Sequence, residues 1–225
     1  AKLANQRIRM EYMQQQIKPH FFLNSLNLVH QMAEKGDTDG VEKLSEATAD
    51  YLRYLFISGT PLIALRDELH HVRNYFSIMS TRYPDRFSYD IVTDEGAEQQ
   101  KLPPLLVQTF AENAIKYGMT NTHALEVSLS AMAEENEQGE KELVLFITDN
   151  GGGFPPDCLA LWQAGKDLPR TEEGGHLGVV NAKRRLEYAF ADKAQLLLYN
   201  SPHGGAVVEL HLPWEEAENE SAADR

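Results

Sequence analysis

Apolar residues in the first 83 positions recur at helical intervals. In residues 1–35 they are spaced by three, four or seven positions, and a second apolar row runs beside the first. The first row comprises Met10, Met13, Ile17, Phe21, Leu28 and Met32, and the second comprises Phe22, Leu26, Val29 and Ala33. A helix that is apolar over so much of its circumference needs neighbours on two sides, which predicts a helical bundle.

Two further helices are predicted in this part of the chain. The first begins after a turn at residues 36–40 (GDTDG) and ends at residues 58–61 (SGTP), and the second spans residues 65–82. No convincing strand precedes residue 84. His70 and His71 point about 100° apart on a helix and have no second ligand cluster, so we expect solvated helix surface rather than a metal site.

The pattern changes after residue 84, where Phe87, Tyr89 and Ile91 alternate with polar residues as in a half-buried strand. Further strands are predicted near residues 125–132, 142–149, 194–200 and 206–213, and helices near residues 104–117 and 178–190. We therefore expect an α+β protein with a helical domain in residues 1–83. An α/β sandwich, with helices on one face of a mixed sheet, is predicted in residues 84–214, followed by an acidic tail in residues 215–225.

The formal net charge is −13, and residues 134–142 and 215–225 each contribute −4 of it. This acidity argues against direct nucleic-acid binding, which needs clustered Lys and Arg. The single Cys158 excludes an internal disulfide and favours a reducing compartment. Because no run of about 18 apolar residues occurs and the chain starts inside a predicted helix, we expect a soluble piece of a longer protein.

Three short segments carry candidate chemistry: residues 112–118 (ENAIKYG), 149–153 (DNGGG) and 174–178 (GGHLG). Asp149, at a predicted strand end, can accept a hydrogen bond from an exocyclic amine, and the neighbouring glycines let a flat base approach the backbone. Asn113 offers a hard oxygen to Mg²⁺, and glycines before a helix leave its first N–H groups free for phosphate. Together the segments predict a site for ATP with Mg²⁺.

These segments resemble the N, G1 and G2 boxes of the GHKL (Bergerat) ATP-binding fold. The ATP-binding residues that the resemblance implies are Asn113, Lys116, Asp149, Gly151, Gly153, Gly175, Leu177 and Gly178. Among them, Asp149 would recognise adenine, Asn113 would coordinate Mg²⁺ and Lys116 would contact phosphate. Residues 155–177 would form a mobile lid, in which His176 stands where the family favours glycine.

The choice between water and a protein side chain as phosphoryl acceptor depends on one position. Hydrolysing members of this superfamily carry a Glu four residues before the Mg²⁺-binding Asn, and here that position is Thr109, which cannot act as a general base. Glu112 lies about 100° around the helix from Asn113, so it need not reach the same water. An acceptor other than water is therefore favoured.

Residues 17–27 (IKPHFFLNSLN) contain a candidate acceptor, His20. It shares a helical stripe with amide side chains, from Gln16 to Gln31, so the imidazole is expected to be exposed. Pro19 predicts a local kink beside it. An imidazole with an ordinary pKa of about 6.5 is largely neutral at pH 7 and has a nitrogen lone pair for attack.

The segment around His20 resembles the phospho-acceptor box of LytS/YehU-type sensor histidine kinases. Residues 65–69 (LRDEL) and 74–76 (NYF) resemble the helix that follows in that family. Gln108 with residues 112–114 fits the pattern Q-P-L-V-E-N-A, with Thr109 in place of the proline. The resemblance covers about residues 10–214.

This resemblance implies the cytoplasmic catalytic core of a two-component sensor histidine kinase. The core would be a homodimer that autophosphorylates on His20, with Glu112 and Asn113 as further catalytic residues, and would pass the phosphoryl group to an Asp of a response regulator, possibly of the LytTR type. A membrane sensor region would precede it, making the chain part of a bacterial inner-membrane protein. The alternatives are a GHKL ATPase or a kinase of another protein, with His20 incidental, and a non-catalytic scaffold that binds ATP weakly.

Overall fold

The computed structural model describes residues 19–55, 61–120, 122–166, 168 and 177–215, except for the side chains of Pro19, His20, Leu55 and Leu177. The described residues fall into two compact units. One contains residues 19–55 and 69–87, and the other contains residues 61–68 and 88–215. Within the described residues, no helix is both long and apolar enough to cross a membrane.

The first unit is helical, as the apolar spacing predicts. It contains α1 (Pro19–Glu34), α2 (Thr38–Leu55) and the part of α3 (Leu65–Arg82) that begins at Leu69. The turn between α1 and α2 is closed by a hydrogen bond from the Gly40 N–H to Asp37 Oδ1 (3.0 Å). The aromatic core of this unit includes Phe21, Tyr51, Tyr75, Phe76 and Phe87, all buried.

His71, expected on solvated helix surface, is instead 1% exposed, so that prediction was wrong. Its ring stacks on Tyr51 (4.6 Å between centroids) and on Tyr54 (4.1 Å). Neither ring nitrogen finds a hydrogen-bond partner in the described part of the chain. Burial, with repulsion from His70 as a smaller cause, lowers the pKa of His71 to about 3, so the buried imidazole is neutral.

The second unit contains a five-stranded sheet in the order β2 (Phe87–Thr93), β4 (Leu125–Glu135), β5 (Lys141–Asp149), β7 (Ala206–Pro213), β6 (Gln195–Asn200). The pairs β4–β5, β5–β7 and β6–β7 are antiparallel. β2 lies next to β4 in this sheet, and the N–H of Asp94, just after β2, donates to the Ala131 carbonyl of β4 (2.9 Å). With the helical first unit and a mixed sheet in the second, the predicted α+β class is confirmed.

A short strand was missed in the sequence. Ile63–Ala64 (β1) pairs antiparallel with Lys101–Leu102 (β3), although we expected no strand before residue 84. Two residues give too little alternation to be recognised as a strand. A backbone bond from the Leu65 N–H to the Gln100 carbonyl (2.7 Å) continues this contact.

The described residues of the second unit contain three further α-helices: α4 (Leu106–Gly118), α5 (Pro156–Gln163) and α6 (Leu177–Phe190). α4 packs on β4, β5 and β7 and also on α6. Its buried apolar residues are Leu106, Val107, Phe110, Ala111, Ala114 and Ile115. Alternate β4 residues from Leu125 to Ala131 are likewise buried, which places the core between helices and sheet. α5 was not predicted and occupies the start of the segment expected to be the lid.

A buried carboxylate fixes the start of α4. Glu68 is fully buried, and its Oε2 accepts hydrogen bonds from the backbone N–H groups of Val107 (3.0 Å) and Gln108 (3.4 Å). Its Oε1 accepts the N–H of Leu105. N–H groups in a first helical turn lack partners within the helix, and negative charge there is favoured by the helix dipole. Glu68 thereby anchors the helix that carries Asn113.

Candidate nucleotide-binding site

The described parts of the three segments singled out in the sequence, residues 112–118, 149–153 and 177–178, lie close together in the second unit. A Cβ added at Gly118, the end of α4, would lie 3.5 Å from Asp149 Oδ1 at the end of β5. A Cβ added at Gly178, in the first turn of α6, would lie 3.8 Å from Asn113 Nδ2. The carboxylate, the amide and the start of a helix are thus held around one helix, α4.

Asp149 presents one occupied and one available carboxylate oxygen. Oδ1 accepts hydrogen bonds from the N–H groups of Gly151 (2.8 Å) and Ala206 (3.2 Å). Oδ2 receives no hydrogen bond from the described residues. Burial raises the pKa of Asp149, and the two backbone hydrogen bonds oppose that rise. The side chain is therefore oriented by the backbone, and Oδ2 can accept a donor from a ligand.

Gly151 and Gly205, near Asp149, lie so close to neighbouring backbone atoms that a side chain would not fit at either position. A Cβ at Gly151 would lie 2.5 Å from the Cα of Gly118, and a Cβ at Gly205 would lie 1.7 Å from the Asp149 carbonyl oxygen. At Gly152, by contrast, an added Cβ would meet no atom of the described residues within 4 Å. Gly151 is thus needed for packing between the end of β5 and α4, while no described residue crowds Gly152.

A reciprocal amide contact holds the loop after β5. The N–H of Phe154 donates to Asn200 Oδ1 (2.7 Å), and Asn200 Nδ2 donates to the Phe154 carbonyl (3.0 Å). The preceding Gly153 has a φ of 75°, and a Cβ there would lie 2.7 Å from Asn200 Oδ1. Sequence reasoning missed Asn200, because nothing in its local motif indicates a partner 46 positions away.

The start of α6 packs directly on α4. A Cβ at Gly178 would lie 2.9 Å from Cγ2 of Thr109. The Thr109 hydroxyl donates to the Leu105 carbonyl (2.6 Å) and accepts from Nη2 of Arg185 (3.3 Å), a residue of α6. The same guanidinium donates to the carbonyls of Pro104 and Leu105. Arg185 and Gly178 therefore join the glycine-rich helix start to the helix of Asn113.

Glu112 is held by an amide one turn earlier on α4. Gln108 Nε2 donates to Glu112 Oε1 (3.0 Å), and Gln108 itself is 3% exposed. Lys116, on the last turn, is exposed, and its Nζ donates to Tyr117 Oη (2.8 Å) while lying 4.6 Å from that ring's centroid. The phosphate contact assigned to Lys116 stays a prediction.

Not every predicted site residue can be placed. Gly175 lies outside the described residues, as do eight other residues of the expected lid (167, 169–174 and 176) and the side chain of Leu177. His20 is the second residue of α1, in the first unit. Its side chain is not among those that the structure describes. Its role as acceptor remains a prediction.

The residues present fit a metal that is held jointly with a ligand. In the described part of the chain, no group of three or more His, Cys, Asp and Glu could hold a metal ion. Asn113 is partly exposed next to the start of α6, and its carboxamide oxygen is a suitable ligand for Mg²⁺ whose other ligands are phosphate oxygens and water.

Comparison with protein families gives two matches in chain order. Residues 8–87 match the histidine kinase model, and residues 99–216 match the model described as histidine kinase-, DNA gyrase B-, and HSP90-like ATPase. The second match covers more than half of the chain.

Curated relatives include Sensor protein LytS of Staphylococcus saprophyticus, 30% identical over 92% of this chain, and that of Bacillus subtilis, 26% identical over 91%. The chain spans 34% and 33% of these two proteins, about a third of their length. Among solved structures, the catalytic domain of histidine kinase ThkA is 12% identical with a TM-score of 0.51, covering 68% of this chain and 93% of that one. A bacterial phosphotransferase structure is 12% identical with a TM-score of 0.53, covering 93% and 97%. These structures support the fold alone.

Proposed function

Because the chain belongs to the histidine kinase-, DNA gyrase B- and HSP90-like ATPase family, we propose that it is the catalytic core of a sensor histidine kinase. ATP binding follows from this family. In the proposal, residues 1–83 form the dimerisation and phospho-acceptor domain, residues 84–214 bind ATP, and residues 215–225 are an acidic tail. The order of the two family matches and the relatives named LytS support this division of labour.

The observation that carries the proposal is the convergence of Asp149, Asn113 and Gly178 on α4. The adenine amine would donate to Asp149 Oδ2, the acceptor with no hydrogen bond from the described residues. The N–H groups at the start of α6 would bind phosphate oxygens, since a glycine-rich helix start is an anion site. Asn113 Oδ1 would be the protein ligand of Mg²⁺, which when bound would neutralise charge on the phosphates.

The phosphoryl group would move to His20. A ring nitrogen of the neutral imidazole forms a bond to the γ-phosphorus, the bond to the β,γ-bridging oxygen breaks, and ADP leaves. The other ring nitrogen must then lose its proton. No Asp or Glu occurs between Glu11 and Glu34, so the sequence around His20 offers no carboxylate for this proton. We assign that task to Glu112, next to Asn113.

Water is a poor acceptor in this site. The Thr109 hydroxyl, at the position of the water-activating Glu in hydrolysing relatives, already donates to Leu105 and accepts from Arg185. An alcohol also cannot act as a general base near neutral pH. The residue type and contacts at position 109 therefore favour a phosphoryl acceptor other than water.

The partners follow from the same proposal. Leu23 and Leu26 on α1 are 60% and 63% exposed, and a second copy of this chain would cover them in a homodimer. Phosphohistidine would pass its phosphoryl group to an Asp of a response regulator, possibly of the LytTR type. The chain would be the cytoplasmic portion of a bacterial inner-membrane protein, with the membrane sensor in a region that precedes it.

Incubation with γ-labelled ATP and Mg²⁺ tests the proposal. The chain should acquire a label that survives alkali and is lost in acid, as expected for a phosphoramidate. His20→Gln should lose the label and retain ATP affinity. His30→Gln is the matched control, because His30 is an exposed residue of the same helix, paired with Glu34 (3.5 Å). A label that persists in His20→Gln, or rapid phosphate release by that variant, would overturn the proposal in favour of an ATPase or a kinase of another protein.

A further inference from the structure

We propose that Asn150 is a positioning residue for adenine recognition, because it fixes the peptide group that holds the Asp149 carboxylate in place. The inference rests on the proposed function, in which Asp149 Oδ2 accepts a hydrogen bond from the adenine amine. Asn150 does not touch the nucleotide in this proposal. It acts through Asp149 and sets how strongly the site prefers adenine to a purine that lacks the amine.

Asn150 replaces one backbone hydrogen bond between β4 and the end of β5 with a side-chain bond. In a hydrogen-bonded pair of antiparallel residues, each residue donates its N–H to the carbonyl of the other. The Asn150 N–H donates to the Glu126 carbonyl (3.2 Å) in this way. The Glu126 N–H, however, donates to Asn150 Oδ1 (2.9 Å), and Asn150 Nδ2 donates to the Ala124 carbonyl (3.2 Å). The carboxamide therefore takes the place of the main-chain carbonyl of Asn150.

The main-chain carbonyl of Asn150 binds a different donor. It accepts the Nε2–H of His123 at 2.9 Å, and Nδ1 of the same ring lies 3.0 Å from the Thr122 hydroxyl oxygen. Both residues lie just before β4 in the chain. The N–H, the side chain and the carbonyl of Asn150 are thus all held by residues at or just before the start of β4.

That carbonyl belongs to the peptide group that orients Asp149. The Asn150 carbonyl and the Gly151 N–H form one planar unit, so fixing the direction of one fixes the other. The Gly151 N–H donates to Asp149 Oδ1 at 2.8 Å, and the Ala206 N–H donates to the same oxygen at 3.2 Å. Rotation of the peptide group would remove the shorter of these bonds and let the carboxylate turn. Because a hydrogen bond weakens steeply as its angle closes, this rotation would weaken the adenine contact more than less directional contacts.

Purine riboside triphosphate, in which a hydrogen replaces the 6-amino group of ATP, isolates this contact. With Mg²⁺ present, calorimetry should show that wild type binds ATP about 10- to 100-fold more tightly than the analogue, as expected for a hydrogen bond to a charged acceptor. Asn150→Ala should lower this ratio by about fivefold or more, while its affinity for the analogue stays within about twofold of wild type.

Asn136→Ala is the matched control at the other end of β4 and β5. Asn136 is also partly exposed, and its Oδ1 accepts the backbone N–H groups of Gln138 (3.0 Å) and Glu140 (2.9 Å). We expect a similar small loss of Tm in both asparagine variants, with the wild-type affinity ratio in Asn136→Ala. His123→Ala removes the bond to the Asn150 carbonyl without altering residue 150, and should lower the ratio by about two- to fivefold.

An unchanged ratio in both Asn150→Ala and His123→Ala would overturn the inference. A parallel loss of affinity for ATP and for the analogue in Asn150→Ala would also overturn it, because that result assigns the residue a purely structural role. An equal fall of the ratio in Asn136→Ala would do the same. If wild type binds ATP no more tightly than the analogue, the Asp149 contact of the proposed function itself fails, and this inference falls with it.

Discussion

Gly178 packs so closely on Thr109 that a Cβ at Gly178 would lie 2.9 Å from the threonine Cγ2. The contact joins the helix start proposed to bind phosphate to the helix that carries Asn113. Thr109 is also the position where this chain departs from the proline of the Q-P-L-V-E-N-A pattern. The threonine methyl group therefore sets how closely α6 approaches α4.

Gly178→Ala should weaken ATP binding about 5- to 100-fold, because overpacking by one methyl group typically costs about 1–3 kcal/mol and would push the start of α6 away from α4. Calorimetry with ATP and Mg²⁺ measures the loss. Thr109→Ser removes Cγ2 and retains the hydroxyl that bonds to Leu105 and Arg185, so the double variant should recover affinity. Equal affinities in the single and double variants would show that this contact is not the cause.

Gly151→Ala and Gly152→Ala form a matched pair. The first places a Cβ 2.5 Å from the Gly118 Cα and 2.9 Å from its carbonyl oxygen, so backbone must move. We expect Gly151→Ala to lose about 1–3 kcal/mol of unfolding free energy, with weaker ATP binding. In Gly152→Ala the new Cβ has no described neighbour within 4 Å, and the free energy of unfolding should stay within about 0.5 kcal/mol of wild type. Denaturant unfolding measures both, and indistinguishable effects would contradict the packing argument.

Asp149→Asn should weaken ATP binding by about 1.5–3 kcal/mol, the worth of a hydrogen bond to a charged acceptor. The asparagine can retain the oxygen that accepts from Gly151 and Ala206, so the loop should stay in place. In the proposed site, the other carboxylate oxygen would be replaced by an NH₂ donor facing the adenine amine, which is also a donor. Calorimetry should show the loss of affinity while the Tm changes little. An unchanged affinity would remove Asp149 from the adenine site.

His71 should make the protein sensitive to acid. Its pKa is lowered to about 3 in the folded state, so below pH 6.5 the unfolded chain binds a proton that the folded chain does not. The contribution of His71 to the free energy of unfolding is fully present above pH 6.5 and is lost progressively as the pH falls towards 3. At pH 5 the loss is about 2 kcal/mol. His71→Phe should remove this decline.

Urea unfolding of wild type and His71→Phe at pH 7 and pH 5 measures that difference. The variant should gain about 2 kcal/mol relative to wild type on going from pH 7 to pH 5. Parallel pH dependences for the two proteins would mean that His71 is protonated in the folded state, against the burial between Tyr51 and Tyr54.

Local patterns were sufficient for the fold class and the family. Helical spacing predicted α2 and α3, and alternation of apolar and polar residues predicted the strand β2. The observed elements confirm the α+β class. The motifs at residues 112–118 and 149–153 placed the chain in its family, and the matches confirm that resemblance. Such features depend on neighbouring residues, because periodicity and loop glycines act within a few positions. The sequence pattern failed to predict an element where that element is too short to show a periodicity, as in the two-residue strand Ile63–Ala64.

Contacts between distant positions were decided by the tertiary structure. Glu68 accepts hydrogen bonds from N–H groups at the start of α4, which lie 37 to 40 positions later in the chain. Asn200 holds the loop at Phe154, 46 positions earlier. His71 was expected to be solvated, but the rings of Tyr51 and Tyr54 bury it. A hydrogen bond or ring contact of this kind leaves no periodic trace in either partner's sequence. The sequence by itself therefore determined which residue types carry the chemistry, and packing around α4 decided which of them meet and how they are held.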